Sequence, residues 1–246
     1  MKEFLLIGEK LGHSYSKEIH EKNGLNYSLV ETDFENLEKT VNEIARGANV
    51  TIPYKKEVIK FLDGITNEAK AIGAVNTVVR KNGVLLGCNT DVFGMEFALN
   101  LAKITLKGKS VMILGSGGTS LSAIFVCEKL GAKSITVVSR TGEINYENCY
   151  NKKETQVIIN TTPVGMYPNC DGEIIDLSKF EKLEGVFDCV YNPVRTNLII
   201  SAQKLGINCS NGISMLVAQA LKSEEIWLEK EFGEQEYIRQ INEFEK

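Results

Sequence analysis

The stretch Gly115-Ser116-Gly117-Gly118-Thr119-Ser120 constrains this chain more than any other. It follows the apolar run Val111–Leu114 and opens a helical stretch near Ser120–Leu130 closed by Gly131. A further apolar run, Ser134–Val138, comes next. Strand, glycine loop, helix, strand is the order of a parallel sheet with helices on its faces. Glycines allow the tight turn and let a pyrophosphate approach the N–H groups that a helix N-terminus leaves unpaired. Ser120, at the sixth position of G-x-G-x-x-G, is small enough for close strand–helix packing. A bare glycine turn would need no ligand. The flanking elements favour a phosphate cradle of Gly115, Ser116, Gly117, Gly118 and Thr119.

The residues after the second strand point to the cofactor. An NAD site places an acid there to hold the ribose hydroxyls. This chain has Ser139-Arg140-Thr141, and a guanidinium beside hydroxyls suits a 2′-phosphate, which makes NADP the expected cofactor.

The first half has a different rhythm. Phe4–Ile7 is an apolar strand, and Ser16 is placed to N-cap a helix running toward Gly24. Tyr27–Thr32 alternates as a strand, and Phe34, Leu37, Val41 and Ile44 repeat at helical spacing. Asn49–Ile52 reads as a short strand stopped by Pro53, which has no N–H for a ladder. Tyr54 and Lys55 follow directly, so a lysine stands at a strand end. Glu57–Leu62 and Asn67–Ile72 look like short helices. Lys81-Asn82-Gly83 joins strands Val75–Val79 and Val84–Cys88 as a hairpin. Asn89-Thr90-Asp91 stands where the halves meet, before a helix from about Phe93 to Lys103, and Lys107-Gly108-Lys109 reads as a linker. Gln156–Asn160, Gly185–Val190 and Ile207–Cys209 are further strands, Asn197–Leu205 a helix, and Met215–Lys230 with Glu236–Phe244 a helical tail. An aspartate at that junction could hold the lysine ammonium in a cleft between two domains, where the lysine would pass a proton to or from an oxygen.

Totals exclude other classes. A net charge of −4 over 246 residues argues against nucleic acid or an anionic membrane as partner. No stretch approaches the roughly 18 apolar residues of a membrane span, and the short run at Phe4–Ile7 is no signal-peptide core. Six irregularly spaced cysteines without a C-x-x-C pair read as reduced thiols, and two histidines, His13 and His20, are too few for a His-rich metal site. The chain is therefore expected to be cytoplasmic and metal-free, acting on a small molecule. It is expected to be a monomer or a homodimer.

Several motifs in order resemble the shikimate dehydrogenases. They are Gly12-His13-Ser14-Tyr15-Ser16 with Ile19-His20, Asn49–Lys55, Gly73-Ala74-Val75-Asn76-Thr77, Asn89-Thr90-Asp91, the glycine cradle, Asn160–Met166, Asp188–Pro193, and Asn211–Leu216 with Gln219. The resemblance implies an α/β chain of two domains. Residues 1–92, joined by a tail of about 214–246, would bind substrate, and a shortened Rossmann-like domain, 93–213, would bind NADP. It implies reversible reduction of 3-dehydroshikimate to shikimate by NADPH, with Lys55 as acid/base paired with Asp91. Ser14 and Ser16, helped by Tyr191, would bind the substrate carboxylate. Thr51, Asn76, Asp91 and Gln219 would bond the ring hydroxyls. Gly115 to Thr119 and Ser139, Arg140 and Thr141 would hold NADP, with Val190 and Gly212 lining the nicotinamide pocket.

Each assignment has a plainer rival. Ser14 and Ser16 could only cap a helix, Asn76 could close a turn, and Gln219 could face solvent. Departures from the family pattern include Lys17 in place of proline, Thr119 in place of alanine, and Asn67 where an acid is usual. The largest is the short interval from Arg140 to Asn160, which implies that one helix, alone or together with a strand, is missing or reduced, and which bears on the adenosine pocket. Rival readings are an NAD-preferring quinate/shikimate dehydrogenase and a non-catalytic sensor of shikimate-like acids.

Overall fold

The structure of the protein is a computed structural model that describes residues 3–12 and 14–245. It divides into two compact units, residues 1–93 with 217–240, and residues 94–216 with 241–246.

The first unit starts with β1 (Phe4–Gly8), α1 (Ser16–Lys22), β2 (Tyr27–Glu31), α2 (Leu37–Asn42) and β3 (Gly47–Val50). After a 3-10 turn at Glu57–Phe61 come β4 (Gly64–Ile65), α3 (Asn67–Ile72), β5 (Thr77–Lys81) and β6 (Val84–Cys88). The six strands form one sheet in the order β2-β1-β3-β5-β6-β4. β1 pairs parallel with β2 and β3, while β5 runs antiparallel to β3 and β6.

The run Phe4–Ile7 is apolar throughout because both faces of β1 are covered. Leu5 and Ile7 join a core with Val41, Ile44, Val50, Tyr54 and Val58. Phe4 and Leu6 join Tyr27, Val79 and Trp227 on the other face. Trp227 lies in the helical tail, and its indole N–H donates to the Val78 carbonyl at 2.9 Å, with Gly47 pressed beneath the ring. The β5–β6 turn puts Asn82 and Gly83 at φ of 51° and 84°, as a type I′ hairpin requires.

α4 (Asp91–Leu101) leaves the first unit at Phe93. The second unit then contains β7 (Ser110–Leu114), α5 (Gly118–Lys129), β8 (Ser134–Val138), β9 (Val157–Asn160), β10 (Gly185–Asp188), α6 (Asn197–Lys204) and β11 (Asn208–Ser210). These strands are all parallel, ordered β11-β10-β9-β7-β8. Met112, Leu114, Ile158 and Val186 pack into a core with Leu177, Phe180 and Leu198. The tail is α7 (Ile213–Leu228) and α8 (Glu234–Phe244).

Several expectations change. The helix expected over 34–44 spans only Leu37–Asn42, and Phe34 is 55% exposed. Ser16 is the first helical residue of α1 and not its cap. Tyr15 holds the cap position but its side chain does not cap the helix, while Ser14 Oγ accepts from the Ser16 N–H at 3.3 Å. Lys107–Lys109 falls inside the second unit and not between the two. β8 ends its sheet, and residues 141–156 hold a 3-10 turn at Cys149–Asn151 but neither α-helix nor strand. The short interval read from the sequence thus adds neither an α-helix nor a strand beyond β8. His13 lies outside the described residues.

Candidate active site

The chain beyond β3 aims Lys55. Thr51 N–H donates to the Ile7 carbonyl at 2.9 Å and Tyr54 N–H to the Thr51 carbonyl at 2.9 Å, which turns the backbone sharply. The Tyr54 ring is fully buried, and the Lys55 carbonyl accepts from Val75 N–H at 2.8 Å. Held on both sides, Lys55 donates from Nζ to Asp91 Oδ2 at 2.6 Å, with side chains only 11% and 7% exposed. Asp91 opens α4, and its N–H donates to Asn89 Oδ1 at 3.1 Å.

The other carboxylate oxygen is also engaged. Asn76 Nδ2 donates to Asp91 Oδ1 at 2.8 Å and to Thr90 Oγ1 at 3.0 Å, with Gln219 Oε1 at 3.4 Å. Asn76 Oδ1 accepts from Thr90 N–H at 2.7 Å and from the Thr77 hydroxyl at 3.1 Å. The amide is therefore fixed in orientation, since one end faces a backbone donor and the other a carboxylate. An ammonium paired to a carboxylate that is itself anchored can transfer a proton along one defined direction.

Lys55, Asn76, Asp91 and Gln219 thus come together in the first unit. Gln219 is buried, so it does not face solvent. Ser14 and Ser16 stand at the start of α1, Thr51 just past β3, all in this unit. Tyr191, Val190 and Gly212 belong to the second unit, where Gly212 N–H donates to the Val190 carbonyl at 3.0 Å. A Cβ on Gly212 would collide with the Cys189 carbonyl, so only glycine permits that approach. Sequence reasoning gave no role to Thr77, Thr90 and Ser223, whose hydroxyls meet one another at 2.9 to 3.2 Å behind Asn76. Ser223, one turn beyond Gln219 on the same helix, was the available signal.

In the second unit, α5 begins two residues earlier than expected, so Gly118 and Thr119 sit in its first turn. Gly115 has φ +107°, and a Cβ there would meet Thr161 Oγ1 at 2.8 Å. A Cβ at Gly117 would meet nothing within 4 Å among the described residues, so the turn leaves open space before the helix N-terminus. That space and the N–H groups behind it fit a pyrophosphate. Arg140 is exposed just past β8, with Ser139 N–H fastened to the Ile144 carbonyl at 3.1 Å. Deeper in the unit, Asp188 is fully buried and accepts from Thr196 Oγ1, Val190 N–H and Asn160 Nδ2. Burial nevertheless pushes its carboxyl above the usual range.

A parallel sheet whose first strand turns through glycine into a helix defines the dinucleotide-binding class of α/β proteins. Comparison with known proteins narrows the class. Residues 6–78 match the family model of the shikimate dehydrogenase substrate binding domain. The chain is 42% identical to shikimate dehydrogenase (NADP(+)) of Clostridium perfringens strain SM101, covering 92% of each chain. Shikimate dehydrogenase 1 of Peptoclostridium difficile superposes with a TM-score of 0.91 at 36% identity, covering 99% of this chain and 98% of the other. Shikimate 5-dehydrogenase of Thermus thermophilus, solved with NADP(H) and shikimate, gives a TM-score of 0.86 at 27% identity, covering 99% and 100%. The chain belongs to the shikimate dehydrogenase family.

Proposed function

We infer that this chain interconverts shikimate and 3-dehydroshikimate with NADP(H), in the shikimate pathway to aromatic amino acids. The observation that carries the reading is the 2.6 Å contact of Lys55 with Asp91, whose second oxygen is held by Asn76. Both the lysine and the asparagine fall in the segment matched by the substrate-binding family model.

In shikimate oxidation, Lys55 Nζ takes the proton of the reacting hydroxyl as the carbon–hydrogen bond breaks. The hydride leaves with its electron pair, and NADP⁺ supplies the acceptor. In reduction, the Lys55 ammonium returns the proton to the oxygen and stabilises its developing charge. Ser14 and Ser16, with Tyr191, hold the substrate carboxylate by hydroxyl donors. Thr51, Asn76, Asp91 and Gln219 take the ring hydroxyls, so orientation supplies part of the acceleration. Gly115 to Thr119 cradle the pyrophosphate, Ser139, Arg140 and Thr141 take the 2′-phosphate end, and Val190 and Gly212 border the nicotinamide. No helix among the described residues is long and apolar enough to cross a membrane. We place the enzyme in the cytoplasm, working on small molecules without a nucleic-acid or membrane partner, as a monomer or homodimer.

The test is nicotinamide reduction by the purified protein, with shikimate or quinate crossed against NADP⁺ or NAD⁺. Turnover of shikimate with NADP⁺ alone is expected. Preference for quinate or NAD⁺ overturns the substrate or cofactor assignment. Shikimate binding without turnover in any combination marks a sensor instead.

A further inference from the structure

Behind Asn76 the first unit carries a buried polar chain that the reaction does not directly use. Asn49 lies at its centre, on the face of β3 opposite Ala48 and Val50. Asn49 Nδ2 donates to Ser223 Oγ at 3.0 Å and Thr77 Oγ1 at 3.1 Å, and faces the Asn76 carbonyl at 3.4 Å. That carbonyl can only accept, so the amide's orientation is fixed. Asn49 Oδ1 is then the acceptor toward Tyr27 OH at 2.7 Å and His20 Nε2 at 3.2 Å.

His20 must therefore carry a proton on Nε2. Its other nitrogen, Nδ1, lies 2.8 Å from Glu224 Oε1, and both side chains are fully buried. A contact that short needs a second proton between the two atoms, whichever of them holds it. Glu224 Oε1 also accepts from Asn23 Nδ2 at 2.9 Å, while Glu224 Oε2 is buried without a hydrogen-bond partner among the described residues. A bare carboxylate beside a neutral imidazole lone pair would be costly there. The ionisable neighbours are Tyr27 on β2, whose hydroxyl burial and Glu224 push well above its usual range, and Tyr237 on α8, also raised by burial and its acidic neighbours. Glu225, on α7 beside Glu224, bonds instead to Lys222, Phe232 N–H and Tyr237.

We propose that His20 and Glu224 are positioning residues for the dehydrogenase reaction: sharing one buried proton, they orient Asn49, and through Thr77 and Ser223 they fix Asn76 and the Asp91 carboxylate behind Lys55. The proposal rests on the assignment of Lys55 and Asp91 made above. It acts through hydrogen-bond direction and not through charge. A glutamine at 224 can present its amide to Nδ1 and keep the chain, whereas a leucine of similar bulk cannot.

The test compares Glu224→Leu and Glu224→Gln with the wild type in shikimate oxidation, together with side-chain nitrogen NMR. Glu224→Leu is expected to lower kcat about tenfold while KM for shikimate stays within about twofold, and Glu224→Gln to recover kcat to within about threefold. In the wild type, His20 Nε2 is expected to carry a proton, as its contact with Asn49 Oδ1 requires, with the signal assigned by its loss in His20→Gln. The Asn76 side-chain amide protons are expected to shift in the leucine variant alone. Wild-type kcat in Glu224→Leu, a loss that glutamine does not recover, or an unprotonated Nε2 overturns the proposal. If the leucine variant does not fold, the glutamine variant and the wild-type nitrogen signal decide it. Absence of turnover in the wild type overturns the dehydrogenase reading alone, since the imidazole and amide signals still report whether the pair holds its proton and orients Asn76.

Discussion

Asn76 and Asp91 are joined by a 2.8 Å hydrogen bond to the carboxylate oxygen that does not face Lys55. One residue thereby ties the hairpin strand side of the first unit to the start of α4. Removing the amide leaves a buried carboxylate oxygen and the Thr90 N–H short of a partner. Asn76→Ala is expected to cost about 2–3 kcal/mol of stability and to lower kcat/KM for shikimate about a hundredfold. Urea titration followed by the single tryptophan, which sits in this unit, separates the two effects.

Gly117 offers a test of the cradle that spares the fold. Its φ is −83° and an added Cβ meets open space, so Gly117→Ala should melt as the wild type does. The methyl group would occupy the approach to the helix N-terminus, and KM for NADP⁺ is expected to rise about tenfold or more. An unchanged KM would mean that the pyrophosphate lies elsewhere.

Arg140 is the only basic residue between Lys133 and Lys152, and it is exposed two residues past the end of β8. A charge-assisted bond to a 2′-phosphate is worth about 1.5–3 kcal/mol. Arg140→Ala is accordingly expected to raise KM for NADP⁺ by about ten- to a hundredfold and to leave NAD⁺ kinetics unaltered. Equal effects on both cofactors would remove the arginine from the phosphate site.

Asp188 makes a prediction about pH. Burial raises its carboxyl in the folded chain, against the bonds from Thr196, Val190 and Asn160. Above the unfolded aspartate value of about 3.9, the unfolded chain has released this proton while the folded chain still holds it. The group's contribution to stability thus falls as pH rises through that window, until the folded carboxyl also ionises. Asp188→Asn removes the ionisation, so its urea midpoint should show less of that fall than the wild type's. Parallel pH curves for the two proteins would contradict the assignment.

Much of the fold was legible because its signals are local. The glycine loop sits between two apolar strands, and Asn82-Gly83 specifies its own turn through two positive φ angles. The place of Lys55 just past a strand end was legible from Pro53, and the lack of helix and strand over 141–156 from the short polar interval after Arg140. What escaped depends on tertiary pairing. Phe34 completes a helical spacing in sequence yet lies outside the short helix that forms. β4 has only two residues and exists through its pairing with β6. Thr77 and Thr90 are unremarkable hydroxyls in sequence, and gain meaning only where a strand, a loop and the tail helix with Ser223 converge.

The central claim, that Lys55 moves the substrate proton, is tested most directly by Lys55→Ala. Shikimate binding is measured by calorimetry and NADP⁺ reduction on the same preparation. Binding is expected to stay within about tenfold of the wild type while turnover falls by at least about a hundredfold. Turnover close to the wild type, with Asp91 left without its ammonium, would contradict it.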